Sequence, residues 1–334
     1  MIPMRSAITI FAASLLICII FLNSPNSGNH GQARDILDNK GRVLGAQEAI
    51  AEISLKDLGI NLNVLPENEN ETIKEPEKIK PESDFNLENC FSAAIDAQTK
   101  KIFYSKDANR VVPIASITKL ATALVFLDNN PGWEKIHTVS GSDIVGGGRI
   151  YLANFDKVKI KDLFYLSLVG SANSATEALV NSTLLSEEEF VNRMNIKADE
   201  LNLKNTSFVD PVGLSHKNVS TALEAAGLAR AALENKEISS AVKMKTYEFF
   251  TESGAKRSVS NTNLLLGKYP RESIGIVGGK TGYTELAGYC FVGKFSDTNG
   301  HEVVSAVLGS DNQNFRFSET ERLISWVYNN YKWP

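Results

Sequence analysis

The chain has few of the residues that bind metal ions or cross-link small domains. Its 334 residues include three cysteines and four histidines. None of these falls in an HExxH or paired Cys/His motif, so the sequence does not support metal chemistry. Three cysteines are too few for a disulfide-stapled scaffold, and Cys18 lies in an apolar run. Cys90 and Cys290 remain as one candidate pair, whose geometry the spacing leaves open.

The chain also lacks a strong excess of charge. Its net charge of −4 argues against nucleic acid as the main partner, because phosphate binding needs a basic face. Apolar residues make up 43% and charged residues 22%, which is typical of globular proteins. With so few histidines, any nucleophile must find its base in another side chain.

A single long apolar run stands at the N-terminus. It extends from Ser6 to Leu22, follows Arg5, and precedes sequence without Lys or Arg until Arg34. This pattern predicts a membrane anchor or signal segment over residues 1–24, with the rest of the chain outside the cytoplasm. No small-x-small site follows closely, which favours an uncleaved anchor; if the segment is cleaved, the protein is secreted.

The next segment has the composition of a linker. Residues 66–82 contain six Glu, three Lys and three Pro, with almost no apolar side chains. Such a segment cannot bury enough surface to offset its ordering entropy. We therefore predict a largely disordered stalk over residues 25–84 and a catalytic domain over residues 85–334.

Within the domain, strand patterns stand at both ends and helical patterns in the middle. Alternation predicts a hairpin first and three strands near the C-terminus, and 3.6-residue periodicity predicts helices between them and at the end. This arrangement is α/β (α+β), with one antiparallel sheet built from both ends of the domain and a helical lobe between them. The predicted strands are 91–96, 101–104, 274–281, 288–295 and 302–308, and the predicted helices are 113–127, 161–180, 187–202, 221–234 and 318–328.

Three short motifs carry the chemistry. Ser116 and Lys119 are three residues apart at the start of a predicted helix, so the amine can reach the hydroxyl. A serine becomes nucleophilic when a neighbouring base takes its proton, and a lysine can be that base if burial or a nearby cation depresses its pKa. Lys280 is a candidate for that cation, and the helix N-terminus adds a positive dipole.

The other two motifs are Ser171-Ala172-Asn173, at a predicted helix-to-helix turn, and Lys280-Thr281-Gly282, at the end of a predicted strand. Each motif alone is common: a solvated helix face, a capping turn or a strand end with a turn glycine. All three motifs together, in this order, are much rarer than any one of them alone.

The three motifs together resemble those of the serine penicillin-recognising enzymes, SxxK, SxN and KTG. The flanking stretches 113–123, 205–214 and 279–290 resemble the low-molecular-mass penicillin-binding proteins that act as D-alanyl-D-alanine carboxypeptidases. The resemblance covers roughly residues 88–330. It implies a β-lactamase/transpeptidase-like fold with the active site between sheet and helical lobe, peptidoglycan pentapeptide as substrate, β-lactams as inhibitors, and no cofactor.

The resemblance also implies roles for individual residues. Ser116 would be acylated, Lys119 would be the base, Ser171 and Asn173 would move a proton and hold the substrate amide, and Lys280 would tune the site. The backbone N–H groups of Ser116 and Tyr283 would bind the oxyanion. The substrate-binding residues would be Thr281, Gly282, Tyr283, Thr284 and Arg316, the last in a loop, with an ordinary surface arginine as its alternative.

Three alternative functions are open to a protein of this fold. A class A β-lactamase needs a deacylating glutamate, for which Glu200 is the candidate. However, its segment is typical of an amphipathic helix surface, and Ala172 replaces the usual lactamase Asp. A non-catalytic cell-wall scaffold would show a broken motif, and none is broken. A DD-endopeptidase differs in groove shape, which the sequence does not reveal.

Overall fold

A computed structural model describes residues 74–81, 85–269 and 273–334. The predicted N-terminal segment 1–24 and most of the predicted stalk lie outside these ranges. Within the described residues, no helix combines the length and apolar character needed to cross a bilayer.

Thirteen strands occur in the described ranges, most of them short. In chain order, β1 to β13 are Glu77–Lys78, Phe91–Asp96, Ile102–Lys106, Val112–Pro113, Ile136–Thr138, Lys157–Lys159, Val219–Ser220, Thr246–Phe250, Lys256–Ser260, Ile274–Thr284, Gly288–Asp297, Glu302–Ser310 and Tyr331–Lys332.

The same ranges contain seven α-helices. In chain order, α1 to α7 are Lys119–Asp128, Ile160–Val169, Asn173–Ser182, Glu187–Glu200, Ala222–Glu234, Lys236–Val242 and Phe315–Asn330. A 3₁₀ turn, Ala115–Thr118, leads directly into α1.

The main sheet draws strands from both ends of the domain, as predicted. Its order is β10-β11-β12-β2-β3, and every neighbouring pair is antiparallel. The N-terminal hairpin therefore joins the three C-terminal strands through the pairing of β2 with β12. The remaining strands form two-stranded pairs outside this sheet.

Both faces of the main sheet are apolar. On β12, Val304 and Ala306 pack with α5 and the helical lobe, whereas Val303 and Val307 pack with α7. Successive strand residues point to opposite faces, so each strand serves both clusters. The helical lobe thus docks on one face of the sheet, and the C-terminal helix covers the other.

The structure departs from the predicted elements in several places. The predicted helix 161–180 is two helices, because Ser171 adopts a left-handed conformation with φ of 55°. Strand β10 continues to Thr284, so the Lys280-Thr281-Gly282 motif lies within the strand and not at its end. The hairpin of β8 and β9 was not predicted.

A further difference concerns the predicted stalk. Glu77 and Lys78, which lie in the segment predicted to be a linker, pair with Lys332 and Tyr331 near the C-terminus. The segment is extended there, as its composition allows, but it is hydrogen-bonded to the domain that was predicted to begin at residue 85.

Candidate active site

The backbone around Ser116 is confined from two sides by glycines. A Cβ on Gly213 would lie 2.2 Å from the Ala115 carbonyl oxygen and 3.0 Å from the Ser116 nitrogen. A Cβ on Gly282 would lie 3.1 Å from the same nitrogen. Only glycine permits such close approach of three backbone segments. The Ser116 N–H is therefore held next to strand β10 at the base of the site.

The Lys119 amine is buried next to the Ser116 hydroxyl. The side chain is 1% exposed. Its Nζ lies 2.9 Å from Ser116 Oγ, 2.9 Å from Asn173 Oδ1 and 2.6 Å from the Val212 carbonyl oxygen. The three-residue spacing predicted that the amine reaches the hydroxyl, and the structure has this contact.

These three contacts define the direction of the lone pair when Lys119 is neutral. A neutral amine has two N–H groups and one lone pair. The Val212 carbonyl oxygen can only accept. Asn173 also offers its oxygen, because its Nδ2 donates to the Gly146 carbonyl at 2.7 Å. The two N–H groups go to these acceptors, which leaves the lone pair to accept the Ser116 O–H.

Burial is the main reason that Lys119 can be neutral. It lowers the pKa of Lys119 from 10.5 to about 7, against the opposing charges of Asp210 and Glu177, which raise it. Burial is one of the two causes that the sequence analysis predicted for this shift, the other being a nearby cation. Lys119 and Lys280 repel each other when both are charged: burial, followed by the charges of Lys119 and Arg316, lowers the pKa of Lys280.

Ser171 and Lys280 form the second polar pair. Lys280 Nζ donates to Ser171 Oγ at 2.6 Å and to the Thr281 carbonyl at 3.0 Å. Ser171 stands in the turn between α2 and α3, and its left-handed backbone presents the hydroxyl to Lys280 on β10. The Ser171 proton is therefore free to be donated to a third group.

The substrate-binding residues predicted on β10 occupy different environments. Thr281 is buried, and its Oγ1 lies 2.6 Å from Thr262 Oγ1. Tyr283 is 53% exposed and stacks on Tyr289, with ring centroids 4.2 Å apart. The Thr284 hydroxyl accepts from the Ala287 N–H at 3.2 Å, so it stabilises the β10–β11 turn.

Arg316 is neither in a loop nor on the surface, contrary to both predicted placements. It is the second residue of α7, is 5% exposed, and has its pKa lowered to about 10 by burial. Its Nη1 donates to the carbonyls of Gly282 at 3.0 Å and Cys290 at 3.4 Å. These two residues are register partners on β10 and β11, so the guanidinium joins the two strands, next to the point where the pairing of β11 with β12 shifts register.

The structure also shows the surroundings of Glu200 and of the two cysteines, whose roles the sequence did not decide. Glu200 is on the exposed side of α4, where it pairs with Lys197, which fits the amphipathic surface and not a deacylating role. Cys90 and Cys290 are both free and buried.

Sequence reasoning assigned no role to several groups that complete the site. The Val212 carbonyl and Asp210 belong to the loop before β7, Glu177 is buried on α3, and Thr262 contacts Thr281. The Asp-Pro-x-Gly sequence at 210–213 indicates a tight turn. That turn signal does not indicate which carbonyl faces the lysine.

Comparison with known proteins agrees with this arrangement. The D-alanyl-D-alanine carboxypeptidase family matches residues 80–312. The D-alanyl-D-alanine carboxypeptidase DacF of Bacillus subtilis is 30% identical over 71% of this chain and 61% of its own length. A D-alanyl-D-alanine endopeptidase of Pseudomonas aeruginosa is 32% identical over 70% of this chain and 74% of its own length.

The fold also matches solved structures. The Streptomyces K15 DD-transpeptidase superposes with a TM-score of 0.68 at 27% identity, over 74% of this chain and all of the transpeptidase. The fold is therefore the β-lactamase/transpeptidase-like fold that the motifs implied. With its family match covering most of the described domain and all three motifs brought together, the chain belongs to the D-alanyl-D-alanine carboxypeptidase family of serine peptidases.

Proposed function

We propose that this protein removes the terminal D-alanine from peptidoglycan stem peptides through an acyl-enzyme on Ser116. The observation that carries the proposal is the enclosed Lys119 amine, whose lone pair is left to the Ser116 hydroxyl by two fixed acceptors. Family membership supports the substrate class, although the match spans only 61% of the Bacillus relative.

In the acylation step, Ser116 Oγ attacks the carbonyl carbon of the penultimate D-alanine while its proton passes to Lys119. The Ser116 and Tyr283 N–H groups stabilise the oxyanion, each donor lowering the barrier by about 3 kcal/mol in comparable sites. The C–N bond then breaks, and the departing amine of the terminal D-alanine takes a proton from Ser171, which Lys280 orients. Ser171 regains a proton from the Lys119 ammonium, so one proton passes from Ser116 to the leaving amine and Lys119 is neutral again.

Substrate recognition follows from the charge of the site. Lys280 and Arg316 supply positive charge behind β10, and Thr281 offers a hydroxyl, so the free carboxylate of the terminal D-alanine is drawn to this end of the strand. Asn173 holds the substrate amide. Water then hydrolyses the ester on Ser116, and a β-lactam acylates the same hydroxyl. This chemistry uses no cofactor.

Endopeptidase activity on cross-links is the second candidate. It is favoured by the Pseudomonas relative and by an Escherichia coli relative, also named D-alanyl-D-alanine endopeptidase and also 32% identical. In both reactions the same catalytic residues attack the carbonyl of a D-alanine. The two differ in whether the leaving amine carries a second peptide, so the shape of the groove decides between them.

For the whole chain, we propose an extracytoplasmic catalytic domain attached to the cell membrane by residues 1–24, or secreted if that segment is cleaved. The apolar run from Ser6 to Leu22 and the acidic stretch after Pro66 support an anchor and a stalk. Because Glu77 pairs with Lys332, we place the end of the stalk before Glu77.

The test is to incubate the full-length protein with a fluorescent penicillin, with an acyl-D-Ala-D-Ala peptide and with a cross-linked muropeptide dimer. Ser116→Ala is the active-site variant, and Ser239→Ala on α6 is the matched serine control. Labelling and release of free D-alanine that depend on Ser116 alone support the carboxypeptidase. Cleavage of the dimer without D-alanine release favours the endopeptidase. Rapid penicillin hydrolysis without either product would indicate a β-lactamase.

A further inference from the structure

Asp210 organises the loop that faces Lys119. Its Oδ1 accepts the N–H groups of Val212 at 2.8 Å, Gly213 at 2.5 Å and Leu214 at 3.3 Å, and its Oδ2 accepts that of Ser215 at 2.8 Å. One carboxylate thus binds four backbone donors in a row. Charge-assisted bonds of this kind are stronger than neutral ones, so the turn is closely defined.

The turn is also fixed to the helix that carries the nucleophile. Asn218 Nδ2 donates to the Asp210 carbonyl at 2.8 Å and to Thr118 Oγ1 at 3.2 Å. Thr122 Oγ1 donates to the Pro211 carbonyl at 2.5 Å. These bonds hold both ends of the turn against α1 and the 3₁₀ turn before it.

Two consequences reach the nucleophile. The Val212 carbonyl is held 2.6 Å from Lys119 Nζ and takes one of its N–H groups. Gly213 is pressed against the peptide between Ala115 and Ser116. Both contacts depend on the conformation that the Asp210 carboxylate maintains.

Charge is the second route by which this loop acts on Lys119. The charged groups that act on the amine come from three elements: Asp210 on the loop, Glu177 on α3 and Lys280 on β10. Burial lowers the pKa of Lys119, and Asp210 is the larger of the two opposing influences. Burial raises the pKa of Glu177 to about 7, so its charge is incomplete near neutral pH.

We propose that Asp210 is a positioning residue for acylation: it holds the Val212 carbonyl so that the Lys119 lone pair faces Ser116, and its negative charge acts on the same amine. This inference rests on the proposed function, since it assumes that Lys119 is the base for Ser116.

Two substitutions separate charge from geometry. Asp210→Asn removes the charge but leaves an oxygen that can accept the three bonds of Oδ1. Asp210→Glu keeps the charge but adds a methylene, so the four short bonds cannot all be kept. The control is Asp96→Asn, because Asp96 likewise binds two backbone N–H groups, those of Gln98 and Thr99, in the β2–β3 turn.

The measurement is the acylation rate with fluorescent penicillin between pH 5 and 9 on the full-length protein, with folding checked by circular dichroism. For Asp210→Asn, we expect the acidic limb of the pH–rate profile to move to lower pH by about half a unit or more, because loss of the negative charge favours neutral Lys119. For Asp210→Glu, we expect the limb to stay and the plateau to fall at least about tenfold. Asp96→Asn should change neither.

Three outcomes would overturn the inference: an unmoved limb in a folded Asp210→Asn variant, a plateau for Asp210→Glu within twofold of the unmodified protein, or the same changes in the control. The glutamate variant decides the matter if the asparagine variant does not fold. Failure of the unmodified protein to acylate would instead refute the proposed function.

Discussion

The contact of Gly213 with the nucleophile leads to a prediction with a matched control in the same chain. Gly213 has a φ of 87° and Gly254 has a φ of 83°, so alanine meets the same backbone strain at both positions. A Cβ on Gly254 would have nothing within 4 Å. A Cβ on Gly213 would lie 2.2 Å from the Ala115 oxygen, 2.6 Å from its carbonyl carbon and 3.0 Å from the Ser116 nitrogen.

The difference between the two variants isolates the contact. Left-handed backbone costs an L-residue about 1–2 kcal/mol, so Gly254→Ala should lose about that much stability and keep its acylation rate. In Gly213→Ala, the Ala115–Ser116 peptide must move by about 1 Å to restore an ordinary contact, at a further cost of about 1–3 kcal/mol. A misplacement of that size at a reacting group lowers rates by about 100-fold.

The assay has two readouts. Urea unfolding gives the free energy of unfolding of each variant, and fluorescent penicillin gives the second-order acylation rate. We expect the rate to fall by about 100-fold in Gly213→Ala and to stay within twofold in Gly254→Ala. If Gly213→Ala is folded and acylates like Gly254→Ala, then the confinement of the Ser116 backbone by this loop does not matter for the reaction.

Three further predictions concern buried groups. Burial lowers the pKa of Lys119 from 10.5 to about 7, so between these pH values the unfolded chain binds more protons than the folded chain. The Tm of the unmodified protein should therefore rise from pH 7 to 9 relative to the Tm of Lys119→Met, and a constant difference would contradict this. Arg316→Met leaves the carbonyls of Gly282 and Cys290 without their donor and should cost about 2 kcal/mol in urea unfolding, whereas a loss below about 0.5 kcal/mol would show that the bonds contribute little. Burial raises the thiol pKa of Cys90 and of Cys290 to about 11, so in a Cys18→Ser background neither should react with a thiol reagent at pH 8 until the protein is denatured, and fast reaction of the native protein would refute their burial.

Local spacing predicted the centre of the site well. The contact between Ser116 and Lys119 follows from helix geometry alone. A helix-to-helix turn was predicted at Ser171, although the helical pattern was extended across it from residue 161 to residue 180. The pairing of strands from both ends of the domain was predicted because strand patterns stand at both ends and helical patterns lie between them.

Other features depend on contacts that the sequence does not encode locally. The helix predicted through residue 180 breaks at Ser171, whose positive φ is stabilised by tertiary contacts and not by a glycine. Strands β8 and β9 bury mainly Phe249 and Val259, so they give little apolar alternation. The role of the Val212 carbonyl was missed because a backbone group leaves no residue-type signal, and that of Asp210 because an Asp before Pro in a turn is common.

The order of the main sheet has a consequence for how the chain becomes active during synthesis. Ala94 on β2 is the register partner of Ser305 on β12, and the two residues are about 210 positions apart. The hairpin of β2 and β3 is synthesised first, but β12, which pairs with the other edge of β2, is synthesised about 200 residues later. Ser116 gains its neighbour Gly282 at the same late stage, so a nascent or prematurely ended chain would carry the nucleophile without a working site. Reactivity towards β-lactams should accordingly appear only with completed molecules, which a pulse of fluorescent penicillin on ribosome-stalled chains of increasing length would reveal.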